Sequence, residues 1–414
     1  MSNQVKSKPV HAPMDQFTST NGELQVGGFS VSELAERVGQ TPFYAYDKKL
    51  ITERVQYLRE NLPEDLHLHY AIKANPMPEV VQHLASLVDG FDLASAGEMR
   101  VALQTDMPVQ HISFAGPGKT DSELREAVQA GVVINMESQG EMRRIAQIAD
   151  EVGITPKVAI RVNPDYELKS SGMRMGGGPK QFGIDAELVP ETLNELKTLN
   201  LAFHGFHIFW GSQNLNEEAI IEAHEKTFDL AIRLNEHTPS PVKLLNIGGG
   251  LGIPYFPGEK RLDLTPIKEN LVRLLPNLKA QLPEAEIVTE LGRFIIGEAG
   301  VYICKVIDKK VSRGETFLIT DGGLHHHLAA SGNFGQVIRK NYPVAIANHM
   351  GGTELEKVNV VGPLCTPLDI LGNKMELPKA DIGDLVVVYQ SGAYGLTASP
   401  QGFLSHPHVK EILV

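Results

Sequence analysis

The strongest constraint on the fold of this chain is a rhythm. Between residues 67 and 293, eight short runs rich in β-branched and aromatic residues recur: HLHYAIKA, GFDLAS, HISFAG, VVINM, KVAIRVN, AFHGFHIF, KLLNIGGG and EIVTELGR. Between them lie PEVVQHLASLV, AGEMRVALQ, DSELREAVQAG, QGEMRRIAQIADEVG, VPETLNELKTL, EEAIIEAHEKTFDLAIRLNEH and LTPIKENLVRLLPNLKAQL, with apolar residues spaced to line one helix face. Such alternation predicts parallel strands joined by helical crossovers, an α/β architecture. Eight repeats within about 250 residues predict a closed (β/α)8 TIM-type barrel. A doubly wound open sheet would want a GxGxxG fingerprint after the first strand, and HLHYAIKANP has none.

The rhythm changes on both sides of this region. Residues 1–40 read as a polar tail and a short amphipathic piece, SVSELAERVG, expected to pack on a second domain. The barrel is expected over residues 41–298, beginning at FYAYD. Over 299–414, GVYICKVIDKKV, ETFLITDGG, KVNVVGPL and DLVVVYQSGAY read as strands without long helices between them, which predicts a C-terminal all-β domain.

Barrel active sites form at the C-terminal ends of the strands, so the polar residues there matter most. In HLHYAIKA, Leu68, Tyr70 and Ile72 share one face of a strand, and His69, Ala71 and Lys73 the other. That parity aims Lys73 inward, where poor solvation makes an amine a usable nucleophile. The alternative is a lysine snorkelling at a rim. The seventh run ends in Gly248, Gly249 and Gly250, which let backbone amides approach a phosphate, although a glycine cluster also makes a tight turn. The eighth ends in Glu290-Leu-Gly-Arg, with Glu290 and Gly292 on one face and Arg293 at the rim. An amine, an anion cradle and a carboxylate at one barrel mouth suit pyridoxal 5'-phosphate.

These residues sit in longer stretches that resemble the fold-type III pyridoxal-phosphate decarboxylases, the family of diaminopimelate and ornithine decarboxylases with the alanine racemase-like fold. The stretches are YAIKANP with Lys73, FDLASAGE with Asp92, Ser95 and Glu98, GSQ with Ser212, NIGGG, ELGR, GPLC with Cys365, and SGAYG with Tyr394. The resemblance implies that Lys73 carries the cofactor as a Schiff base and that Glu290 pairs with the pyridinium nitrogen. It implies that Asp92, Ser212, Gly248, Gly249, Gly250, Gly292, Arg293 and Tyr394 line the cofactor or the substrate's carboxylates. It also implies a homodimer with shared active sites, in which Cys365 reaches the partner's site and protonates the substrate carbon. An acid at position 290 favours decarboxylation over the racemase alternative, in which an arginine faces that nitrogen. A non-catalytic pyridoxal-phosphate-binding protein is the rival from another class, and the presence of Lys73 and Cys365 speaks against it.

Three departures from the family pattern stand out, and the last two point to the substrate. Phe209 stands where the family usually has a histidine stacked on the ring, with His207 kept at the preceding family position. Thr366 follows Cys365 where diaminopimelate decarboxylases have Glu and ornithine decarboxylases have Asp, so nothing there neutralises a distal ammonium, with Asp369 as a possible substitute. The segment LHHHLAASGNFGQVIRKNYPV lacks the Arg-Pro pair of diaminopimelate decarboxylases. The expected substrate is therefore an amino-acid-like group other than free diaminopimelate, such as an aminoacyl group tethered to an acyl carrier protein or a siderophore precursor. Diaminopimelate decarboxylation is the alternative. Arg339 and Lys340 are candidates to meet an acidic carrier.

The remaining signals set limits. A net charge of -12 over 414 residues argues against nucleic-acid binding. Cys304 and Cys365 form no disulfide framework, and no apolar run has the length of a signal peptide core or membrane span, so a cytoplasmic location is expected. Gly116-Pro-Gly-Lys119-Thr120 lacks the first glycine of a Walker loop, Ser113 standing in its place, and Lys119 is expected to be structural. His325, His326 and His327, read as a strand, would point to alternating faces and so suit no single metal ion. Cys304 reads as a small core residue.

Overall fold

The eight expected strands form and close on themselves. In the computed structural model, which describes residues 9–167 and 173–414, they are β1 (Leu66–Ala71), β2 (Gly90–Leu93), β3 (Ile112–Phe114), β4 (Val133–Met136), β5 (Lys157–Asn163), β6 (Ala202–Ile208), β7 (Leu244–Gly249) and β8 (Glu286–Leu291). Every neighbouring pair is parallel, and β8 pairs with β1 to complete the ring. Helices cover the outside, and their starts are set by side chains that cap exposed amides. Ser95, Ser138 and Asn216 each accept a backbone N–H of the first turn, and Thr120 forms a full capping box with Glu123.

Inside, the side chains lie in layers, as barrel geometry requires. Val133, Ala159, Leu244 and Val288 make a buried apolar cluster. Each stands two residues before a buried polar one, namely Asn135, Arg161, Asn246 and Glu290, so the layer nearer the strands' C-terminal ends is polar. The first layer seals the barrel; the second faces its mouth.

The barrel unit comprises Thr52–Ile253 and Leu262–Ile295. The boundary expected at residue 41 therefore lies later in the chain. Phe43–Tyr46 is a strand of the other unit, pairing antiparallel with Gly300–Ser312 and parallel with Lys410–Leu413. Its four residues are all buried, so its pattern mimics the opening strand of a βα series. Pro254–Arg261 also belongs to that unit, inside the span expected to be barrel.

In the second unit a sheet runs Val344–Ile346, Leu385–Val388, Gly300–Ser312, Glu315–Thr320, Leu355–Val361, Ile370–Pro378. Its core brings together Phe17, Leu24, Val26, Val31 and Leu34 from the N-terminal segment with Val301, Ile303, Ala347 and Val387. The amphipathic piece near residue 30 is the helix Val31–Val38, capped by Ser30 and ended by Gly39 at φ 74°. Among the described residues no helix is long and apolar enough to cross a membrane.

The three consecutive histidines lie in a turn of this unit, not on a strand, and all are buried. His326 Nε2 meets Pro407 O at 2.9 Å, His327 Nε2 meets Ser391 Oγ at 2.9 Å, and the His325 ring packs on those of His326 and His406. Burial lowers the pKa of His325 and His327 to about 3 and that of His326 to about 4. Burial likewise lowers His224, in the barrel unit, to about 4. These groups are neutral when folded and gain protons below about pH 6.5 when unfolded, so the unfolded chain binds more protons across that window. Stability will therefore fall as pH drops from 7 toward 5.5, above the range where most carboxylates titrate. The urea midpoint at the two pH values measures this, and equal midpoints would refute it.

Candidate active site

Each barrel strand places a polar side chain in the interior: His69, Asp92, Ser113, Asn135, Arg161, His207, Asn246 and Glu290, in strand order, all buried. Asn246 Nδ2 of β7 donates to Asp92 Oδ1 of β2 at 3.3 Å, a contact that only the interior permits. Ser113 Oγ donates to the same oxygen at 2.5 Å, and Asn135 Nδ2 donates to Ser113 Oγ at 3.0 Å. His69 Nδ1 lies 3.4 Å from Asp92 Oδ2. Two donors on Oδ1 hold the Asp92 carboxylate in place, while its buried Oδ2 accepts no hydrogen bond.

Lys73 and Glu290 meet. Lys73 Nζ donates to Glu290 Oε1 at 3.2 Å, and His207 Nε2 lies 3.1 Å from Glu290 Oε2. Lys73 lies just beyond β1, in the single turn Ile72–Ala74, so strand parity does not orient it. The turn is pinned by Tyr70, whose hydroxyl donates to Asn75 O at 2.9 Å, while Asn75 Oδ1 accepts Met77 N. The lysine side chain keeps 38% of its surface exposed against 6% for Glu290, so the amine is reachable and the acid is not. Burial pushes the Glu290 carboxyl up, but Lys73, the His207 hydrogen bond and Arg161 outweigh it and hold the group well below the usual carboxylate range. Glu98 shifts the other way: burial raises it, helped by the charge of Glu290, against Lys73 and the Ala94 amide.

The Phe209 ring lies 5.2 Å from the Lys73 ammonium and edge-on to His207, with centroids 6.4 Å apart. It also touches the glycine turn, since a Cβ at Gly248 would come within 2.8 Å of its ring. Gly249 admits no side chain at all, because a Cβ there would lie 1.9 Å from the Glu290 carbonyl oxygen. Gly248 does not offer its amide to a ligand: that N–H donates to Asn246 Oδ1 at 2.8 Å, and Thr289 Oγ1 donates to Gly248 O at 3.0 Å. Its part is to turn the chain at φ 70°, leaving Gly249 and Gly250 as the nearer cradle candidates. Ser212 is half-buried in the two-residue strand Gly211–Ser212, and Gly292 and Arg293 directly follow β8.

Behind the site lies a buried ionic network that single-sequence reasoning missed. Arg161 Nη1 donates to Glu137 Oε1 at 2.8 Å, and Glu137 also accepts the amides of Gly116 and Gly183. Lys119 Nζ donates to Glu141 Oε1 and to the carbonyls of Asn135 and Gly116, all within 2.9 Å, so the lysine that resembles a phosphate loop is fully committed inside the protein.

Cys365, Thr366 and Tyr394 belong to the second unit. Cys365 is exposed, and Tyr394 holds φ 54°, a left-handed conformation rare outside glycine. Asp369 is no substitute for the missing acid. Its buried carboxylate accepts Leu324 N at 2.6 Å and Leu364 N at 2.9 Å, fixing the loop that carries Cys365. Arg339 is likewise committed, donating to Ser331 O, Asn341 Oδ1 and Ile370 O, which leaves Lys340 as the exposed cation of that pair. Among the described residues no group of three or more His, Cys, Asp or Glu is placed to hold a metal ion. Cys304 is fully buried in the sheet.

Residues 48–297 match the pyridoxal binding domain of the pyridoxal-dependent decarboxylases. The chain is 39% identical over 380 residues to the L-glutamyl-[BtrI acyl-carrier protein] decarboxylase of Niallia circulans, covering 90% of this chain and 89% of that one. It is 34% identical over 397 residues to the diaminopimelate decarboxylase of Aquifex aeolicus, covering 95% and 91%. The crystal structure of M. jannaschii diaminopimelate decarboxylase with L-lysine superposes with a TM-score of 0.86 at 25% identity, covering 96% of this chain and 92% of that one. The chain belongs to the pyridoxal-dependent decarboxylases, and it is a carboxy-lyase that works with pyridoxal 5'-phosphate.

Proposed function

We propose that this enzyme removes the α-carboxylate of an aminoacyl group tethered to a carrier protein, at the barrel mouth where Lys73 and Glu290 meet. The residues there fit the cofactor: a reachable amine for its aldehyde, a buried anion for its ring nitrogen, and a turn whose glycines leave no room for side chains. Bound pyridoxal phosphate supplies an electron sink for the pair left when the Cα–carboxylate bond breaks.

Lys73 provides the attachment point and a base at Nζ. Glu290 holds the negative charge that keeps the ring nitrogen protonated, and Phe209 offers a flat apolar face. Asp92, immobilised by Ser113 and Asn246, presents a second fixed anion. Gly249, Gly250 and Ser212 would hold the phosphate, with Gly292, Arg293 and Tyr394 beside it or beside a substrate carboxylate. Cys365 would return the proton to Cα.

The substrate assignment rests on one observation: the Cys365 loop carries no available acid. Thr366 is neutral, and the Asp369 carboxylate is consumed by two backbone amides. A distal ammonium such as that of diaminopimelate would find no counter-charge on this loop. The name of the Niallia circulans relative supports a carrier-bound substrate.

The Cys365 loop is supplied to a second copy of the chain in a homodimer. Exposed Leu368 beside it, tied through its carbonyl to Asn333, and exposed Phe334, Val337 and Ile338 nearby support such an interface. A reducing cytoplasm suits the two thiols. Carbon dioxide release, measured with carrier-bound glutamyl and other aminoacyl groups and with free glutamate, ornithine, lysine and diaminopimelate, tests the proposal. Turnover of carrier-bound substrate alone is expected; efficient turnover of free diaminopimelate would overturn it.

A further inference from the structure

Glu290 is gripped from two sides, by Lys73 at one oxygen and His207 at the other. Only one of these grips survives loading, because the Lys73 nitrogen is then taken up by the cofactor. This rests on the reading that Lys73 and Glu290 receive pyridoxal phosphate. We propose that His207 is a positioning residue: the lasting donor that fixes the Glu290 carboxylate and turns Oε1 toward the ring nitrogen.

The geometry supports this in three ways. The carboxylate can only accept, so His207 Nε2 carries the hydrogen, while Nδ1 has no hydrogen-bond partner and is buried. A ring with a single polar attachment aims that attachment and does nothing else. Second, His207 is pinned by register between Arg161 on β5 and Asn246 on β7, so its Cα cannot drift. Third, the Phe209 ring packs edge-on against it, restricting rotation. The other charged groups bearing on Glu290 are Lys73, Arg161 and Glu98. Arg161 is itself bound to Glu137, which leaves His207 as the donor that sets the direction of the carboxylate.

The test compares His207→Leu, which deletes the donor, with His207→Gln, which restores one at similar reach. Asparagine at this position, too short to reach, serves as a second deletion should the leucine variant fold poorly, judged by the urea midpoint without cofactor. Two readouts avoid turnover: the cofactor dissociation constant by dialysis, and the 15N shift of ring-labelled pyridoxal phosphate, which reports protonation of the ring nitrogen. Loss of one charge-assisted hydrogen bond should weaken cofactor binding about tenfold and lower the ring-nitrogen titration by about one pH unit. In turnover, kcat should fall about tenfold with KM little changed, and His207→Gln should recover all three. An unchanged 15N titration in both deletions, or a glutamine variant as impaired as leucine, overturns the role given to His207. Lys73→Ala and Glu290→Gln separate the two levels. If neither alters cofactor binding, the site itself is misassigned; if both do and the His207 variants do not, only this inference falls.

Discussion

Lys73→Ala will remove the visible absorbance of bound cofactor and lower decarboxylation by at least about 10³-fold, within the range for a positioned proton-transfer group. Both losses would have one cause, since in the proposed role the same nitrogen attaches the cofactor and moves protons. Folding should be nearly unaffected. The side chain is 38% exposed, and Glu290 retains His207 at 3.1 Å together with the field of Arg161. The urea midpoint of the variant should therefore stay close to that of the parent. Absorbance spectra and single-turnover carbon dioxide release check the claim, and a variant that keeps its visible band would refute it.

The second large effect is on stability. Lys119→Ala will destabilise the protein by about 3–5 kcal/mol, the cost of breaking a buried ion pair by removing one partner. Lys119 and Glu141 are 1% and 3% exposed, and the ammonium also satisfies two buried carbonyls. Burial pulls the lysine's pKa down while the charges of Glu141 and Glu137 push it back up, so removing the amine leaves Glu141 without compensation in a desolvated place. Replacing both members, Lys119→Met with Glu141→Leu, should recover most of the loss because no lone charge remains. Urea unfolding measures both. A loss under about 1 kcal/mol for the single variant, the range of exposed pairs, would show that water reaches the site.

Much of this was legible because periodicity survives in a parallel barrel. Each of the eight runs became a strand, and Glu290 is where its strand end placed it. Lys73 reached the site by another route, because hydrogen bonding of the ladder stops at Ala71 and a turn takes over. The interior ring of polar groups left a signal in the sequence: a polar residue stands among the apolar ones of every run, from His69 to Glu290. What single positions do not reveal is partnership, and Glu137, Glu141 and Lys119 acquire meaning only when β4 and its flanking turns meet Arg161. Phe43–Tyr46 read as the start of the barrel because all four residues are apolar and buried, as those of a barrel strand would be. In the second unit Ile370–Pro378 escaped notice because Gly372, Asn373 and Pro378 punctuate it like a loop, although it pairs along Leu355–Val361.

The loop bearing Cys365 separates what must stay from what can change. Its shape is set at the base, where Asp369 ties Leu324 and Leu364 together and the Thr366 backbone joins Leu364 to Asp369, while the Thr366 hydroxyl reaches no further than Leu368 N. Side-chain changes at Thr366 can thus try new chemistry against new substrates without unravelling the segment that presents the thiol. A descendant enzyme could change its diet one residue at a time and remain folded throughout.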